Sequence, residues 1–239
     1  MFVVESYPWA VFLCFITMLC WGSWANTQKL AGKAWRFELF YWDYVVGVFL
    51  LSLLMALTLG SVGEQGRSFT EDLAQAQTGN VASAFLGGVI FNAANILLVA
   101  AIAIAGMAVA FPVGIGLALV LGVVVNYLAA PIGSPGFLFG GVALVGGAIL
   151  LDAVAYRRLP GQGQSAGTKG LVLSVLCGIL MGFFYRFVAQ SMSLNFADLE
   201  PGKLSPYSAV FVFSVGLLVS NLVFNTLIMK RPFVGAPVS

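Results

Sequence analysis

Asn92 to Leu128 read NAANILLVAAIAIAGMAVAFPVGIGLALVLGVVVNYL, without a Lys, Arg, Asp or Glu. A helix rises about 1.5 Å per residue and a bilayer core is about 30 Å thick, so about 20 apolar residues make one crossing. The stretch is too long for one crossing and must turn inside itself. Ala105-Gly106 is the natural place. With the residues just upstream, this divides the run into spans Val81–Ala105 and Met107–Ala130. Pro112, followed by Gly114 and Gly116, predicts a kink or a start in the second of them. A break at that depth is tolerated where it is buried or lines a cavity.

The whole chain follows the same rule. It has 239 residues, 60% of them hydrophobic and 8% charged, against about 25% charged in a soluble domain. The fold class is therefore an all-α membrane protein, with seven transmembrane helices. The other five spans are Pro8–Gln28, Phe37–Gly60, Phe137–Tyr156, Gly170–Ser193 and Tyr207–Met229. Between Ser61 and Asn80 lies a longer polar loop with a short surface helix, Thr70 as N-cap and Glu71 and Asp72 at its positive end. Lys29, Lys33 and Arg36, then Arg157, Arg158 and Lys169, then Lys230 and Arg231 fall on one side, and Arg67 and Lys203 on the other. The positive-inside bias predicts a multi-pass protein of the plasma (cytoplasmic or inner) membrane, with the N-terminus outside and the tail cytoplasmic.

Several function classes drop out. The chain has no histidine, so His triads, His metal sites and the usual near-neutral proton switch are excluded. Cys14, Cys20 and Cys177 sit inside apolar runs and read as small core residues. No basic tract points to nucleic acid. GQGQSAG (Gly161–Gly167) lacks the Gly-Lys-Ser/Thr ending of a phosphate loop and reads as a flexible linker. Nothing indicates an enzyme or a cofactor.

Small residues recur at packing spacing: Gly114, Ala118 and Gly122 in one span, and Gly136, Gly140, Ala143 and Gly147 in the next. Both faces predict close helix contacts. A faint internal echo pairs Trp21-Gly22 with Met181-Gly182, and ELFYWDYVVGVFLLSL with SPYSAVFVFSVGLLVS. Five spans separate the copies, so the second copy is inverted. Inverted repeats hold a solute between them near the midplane.

The candidate site residues are polar or aromatic groups at depth. Thr17, Trp21, Trp24 and Gln28 share one face, adjoined by Gly22 and Asn26. They form either an interfacial aromatic belt or a cavity wall. Asn92 and Asn95 lie near mid-membrane beside the small Ala84 and Gly88, and either join helices or bind a solute. Asn126, Asn221 and Asn225 read as helix-joining amides. A charge inside a span is usually paired or functional. Arg186 is therefore a candidate for an anionic or carbonyl-rich solute. Asp43 is the candidate coupling carboxylate, and Glu38 is a second one that has Lys33 or Arg36 available as an ion-pair partner. Trp21, Trp24, Asn26, Asn92, Asn95 and Arg186 are thus the substrate-binding set.

CWGSWANTQKL, ELFYWDYVVG, GRSFTEDLAQA, the run opened with above and the terminal KRPFVGAP resemble the ureide-permease and glucose/ribose-porter branch of the drug/metabolite transporter superfamily. That resemblance implies ten spans in two inverted five-span repeats. It also implies uptake of a small polar solute (a sugar, a ureide or a nucleobase), with proton coupling in many members. Against this pattern, residues 1–156 form a complete five-helix repeat, 157–169 a cytoplasmic linker and 170–239 the first two helices of a second, so the chain reads as C-terminally truncated. The expectation is a secondary active transporter working by alternating access. A drug or metabolite exporter of the same fold and a non-transporting seven-span subunit are the alternatives. Solute, direction, coupling ion and oligomeric state stay open at this stage.

Overall fold

The computed structural model describes residues 1–30, 35–63, 65–158, 168–196, 198–233 and 235–238. Lys33 and most of the linker, GQGQSAG included, lie outside the described residues, as do the side chains of Gln28 and Lys29. In lipid every backbone polar group must find its partner within the chain, so long apolar runs become helices. The helices are α1 (Tyr7–Leu30), α2 (Phe37–Leu57), α3 (Phe69–Gln75), α4 (Thr78–Ala105), α5 (Met107–Ala110), α6 (Gly116–Ala129), α7 (Pro135–Arg157), α8 (Thr168–Ser191) and α9 (Pro206–Lys230). Gly106 ends α4 with φ of 77°, a conformation open to glycine. The break expected at Pro112 is a π-helical turn, Phe111–Ile115, leading directly into α6. Proline has no N–H for the helical ladder, and the wider turn absorbs that loss.

Six helices among the described residues are long and apolar enough to cross a membrane, and α7 carries a shorter apolar stretch, Pro135–Leu151. The bundle is built around α4, which packs most extensively along α8 and then along α9; α6 covers α8 and α2 covers α9. Close backbone approach makes these seams. A methyl added at Gly88 would overlap the Phe213 carbonyl oxygen, and one at Gly216 would overlap that of Phe85. Gly178 and Gly182 of α8 press on Leu117 and Leu121 of α6 in the same way. Gly114, Ala118 and Gly122 therefore do face a neighbour, as their spacing predicts. The matching face on α7 does not: space around Gly140 and Gly147 is open.

Three other expectations need correction. Cys177 is buried, but Cys14 and Cys20 are exposed on α1, because the apolar stretch of α1 is not buried against the bundle. The cap of α3 is Ser68, not Thr70. Glu71 reaches back to accept from the Ser68 N–H (3.1 Å) and hydroxyl (2.8 Å), which fixes the helix start two residues earlier. Asp72 is not at a surface: it is fully buried and paired with Arg67 at 3.0 Å.

Candidate functional site

α2 brings Tyr41 to the face that α4 presents with Asn92 and Asn95, one turn apart. All three side chains are buried. Asn95 Nδ2 donates to the Tyr41 hydroxyl at 3.2 Å, and that hydroxyl donates to Asn92 Oδ1 at 2.9 Å. Asn92 Nδ2 then donates to Ser220 Oγ at 2.8 Å and toward the Leu217 carbonyl at 3.4 Å, both on α9. One directed chain of hydrogen bonds thus ties α2, α4 and α9 at a common level. It leaves Asn95 Oδ1 buried without a partner among the described residues, and Asn221 Nδ2 and Oδ1 and Asn225 Oδ1 on α9 are in the same condition. An unmet amide atom in a low-dielectric interior costs about 1–3 kcal/mol.

An aromatic ladder leads to this cluster from α1. Trp24 lies on Tyr44 (centroids 5.6 Å apart), Tyr44 stacks on Tyr41 at 5.5 Å, and Phe37 follows at 5.1 Å. Trp21 meets Phe91 edge-on at 5.9 Å, and Phe91 packs in turn on Phe184 and Phe213. Of the two tryptophans of the sequence reading, Trp24 is half-buried against Tyr44, whereas Trp21 touches Phe91 by an edge and is otherwise exposed. Asn26 is exposed.

The charged candidates fall elsewhere. Asp43 is two positions past Tyr41, about 200° around α2, and is exposed, with Trp35 Nε1 donating to it at 3.2 Å. Glu38 is buried and committed to Arg36 at 2.8 Å. Arg186 lies on the α6 side of α8, in a groove of about 700 Å³ that also includes Asn126, Tyr127 and Lys203. Among the described residues Arg186 takes part in neither ion pair, and it does not join the Tyr41 cluster. A second cavity, about 320 Å³, opens between α2, α4 and α9 one turn beyond the cluster; Phe37, Ile96, Val99 and Ile228 line it, with Arg36 and Glu38.

Tyr41 and Ser220 are the members of this buried cluster that sequence reasoning left out of the candidate set, and Asn221 and Asn225, read there as helix-joining amides, are buried on the same helix as Ser220. A signal for part of it was present. Ser214, Asn221 and Asn225 lie at i, i+7 and i+11 of a largely apolar helix, a polar stripe on one face.

Comparison with known proteins bears on the same residues. The sequence profile of the family described as Ureide permease matches residues 40–166, a span that contains Tyr41, Asp43, Asn92 and Asn95. Ureide permease 3 of Arabidopsis thaliana is 23% identical over 99% of this chain and 77% of its own length. Ureide permease 1 of the same plant is 24% identical, over 99% and 75%. Ureide permease 5, also from Arabidopsis thaliana, is 28% identical over 65% of this chain and 39% of its own length. No solved structure gives a significant match.

Proposed function

The chain belongs to the ureide permease family, and from that membership we propose that it is a secondary carrier moving a ureide or a similar small polar solute by alternating access. It is a multi-pass integral membrane protein of the permease type. The observation that carries the reading is the Tyr41–Asn92–Asn95 chain with an amide oxygen left unmet inside an apolar bundle. Burying polar groups at this depth is costly, and they mark solute pathways where helices converge. Trp21 and Trp24 provide ring faces leading to the amides, and rings with a few fixed polar groups suit a flat or compact polar solute. Sugars and nucleobases fit the same lining less selectively.

The remaining parts of the proposal concern architecture and coupling. α7 is the fifth of seven spans, residues 1–156 and 170–239 are the inverted units, and 157–169 join them. In support, α4 of the first unit lies along α8 and α9 of the second. We place the N-terminus outside and the tail in the cytoplasm of a plasma membrane; the distribution of Lys and Arg supports the orientation. In support, Phe2 bonds to Leu59 and Tyr207 at one end, while Arg36 bonds to Ala236 of the tail at the other. Asp43 is the coupling carboxylate and the solute is accompanied by a proton; Glu38, held by Arg36, is less suited.

The test is uptake of radiolabelled allantoin, uracil and glucose by the chain in proteoliposomes. Saturable uptake of at least one, cut about tenfold or more in folded Asn95→Leu protein, is expected. Uptake indifferent to that substitution overturns the assignment of the site. Asp43→Asn should abolish pH-dependent accumulation while leaving exchange intact; accumulation unchanged across pH removes Asp43 from the mechanism.

A further inference from the structure

We propose that Asn221 of α9, with the free oxygens of Asn225 and Asn95, is a second hydrogen-bonding pole of the solute site, rich in acceptors and matched to solute N–H donors. This rests on the carrier reading above. The stripe that holds it is oriented by its ends. Ser214 and Ser52 share a hydrogen bond of 2.6 Å, and Asn225 Nδ2 donates to the Glu38 carbonyl at 2.8 Å. Both ends therefore touch α2, and Asn221, between them at helical spacing, faces α2 as well.

Asn92 shows what a helix-joining amide does here: both of its polar atoms are engaged with neighbouring helices. Asn221 is equally buried and engages neither atom. Buried polar atoms in native proteins nearly always have partners, so a pair left without any points to something that comes and goes. The direction of the free capacity is set by the bonds already made. Asn95 gives its Nδ2 to Tyr41 and Asn225 gives its Nδ2 to Glu38, which leaves an oxygen free on each. Asn221 adds one unmatched oxygen and one unmatched amide nitrogen, which carries two N–H donors. Three oxygens and one amide nitrogen of the pole are thus left without partners among the described residues, the complement of a solute with N–H groups beside a carbonyl.

The cavity of about 320 Å³, which none of the three asparagines lines, stops short of the pole and is the approach assigned to it. It lies between the same three helices, Ile96 next to Asn95 and Ile228 just beyond Asn225 line it, and Glu38 borders both. Its size matches a small-solute pocket.

Asn221→Leu and Asn92→Leu in the full chain separate an amide without a protein partner from one that also joins helices. Melting temperature is read in detergent, and uracil and allantoin uptake in proteoliposomes. Asn221→Leu should melt at or above the parent temperature and lose uptake by at least tenfold, whereas Asn92→Leu should melt several degrees lower. 1,3-Dimethyluracil, which lacks the N–H donors, should compete at least tenfold less well than uracil. Asn221→Ala gives the same two readings should leucine overpack the seam. An Asn221 variant that melts as low as Asn92→Leu, or that transports at the parent rate, overturns the inference alone. A parent protein that takes up neither probe overturns the carrier reading and this inference with it.

Discussion

The Tyr41 hydroxyl is at once a donor and an acceptor, and the arrangement of the site depends on that. Replacing Tyr41 by Phe leaves Asn92 Oδ1 without its donor and Asn95 Nδ2 without its acceptor. Each unmet group costs about 1–3 kcal/mol, so Tyr41→Phe should lose about 2 kcal/mol or more. Thermal melting in detergent should show a drop of several degrees, and an unchanged melting temperature would mean that the relay contributes nothing to stability. The two asparagines were legible in the sequence because an amide in an apolar helix has few cheap explanations. Tyr41 was not, because a tyrosine early in a span reads as an interfacial ring, and its neighbour Asp43 carried the more conspicuous charge. Arg186 shows the complementary limit. Its depth could be read from position, but the neighbouring helix that it faces is set by packing, and packing turned it toward α6.

At the scale of elements, small-residue spacing announces that a helix can be approached closely and is silent on which helix approaches. The stripe on α6 meets α8, while the equivalent one on α7 meets open space. The consequence is measurable at Gly88 and Gly47. A methyl at Gly88 collides with backbone of α9, which cannot yield, whereas nothing lies near Gly47. Gly88→Ala should destabilise by about 1–3 kcal/mol through overpacking. Gly47→Ala should stabilise by up to about 1 kcal/mol, since alanine is the better helix former. Equal melting temperatures for the two variants would refute the backbone contact between α4 and α9. The short helix α3 supplies a pH effect of known sign. The Ser68 hydroxyl and then its backbone N–H hold the Glu71 carboxyl below its ordinary range. A lowered folded value stabilises α3 above the usual carboxylate range and is lost as pH falls through it. Amide exchange in α3 should therefore show less protection at acid pH than neutral-pH behaviour predicts, and Glu71→Gln should abolish that difference.

For the molecule as a whole, the bilayer fixed most of what could be read: long apolar runs have no option but helices, and their ends fell within a few residues of expectation. The connections between the ends of those helices were not legible, because polar loops carry no periodicity that says where they dock. The main such dock joins the loop after α2 to the connector before α9. Arg67 pairs with Asp72 and donates to the Leu199, Glu200 and Lys203 carbonyls. Asp72 accepts from the Ser205 N–H at 2.7 Å, and Gln75 and Asn80 grip Gly202 from the same side. On the proposed carrier reading, the halves part at one end while held at the other, and a clasp of this kind would set how often that end opens. Asp72→Asn keeps the shape and an acceptor for Ser205 but removes the charge opposite Arg67. The guanidinium is partly exposed, so the loss is well below that of a fully buried pair, about 1.5 kcal/mol. Each 1.4 kcal/mol is a factor of ten in an equilibrium, so the open fraction at this end should rise about tenfold. With Cys14, Cys20 and Cys177 all replaced by Ser and a cysteine placed at Ala76, half-buried against the cluster that contains Leu204, a membrane-impermeant maleimide should label Asp72→Asn protein about ten times faster than its parent. Arg67→Gln should behave alike and add little in combination, because both substitutions break one contact. Labelling at the parental rate would show that the two connectors stay together without the ion pair, and that the carbonyl contacts and the glycine grip alone close this end.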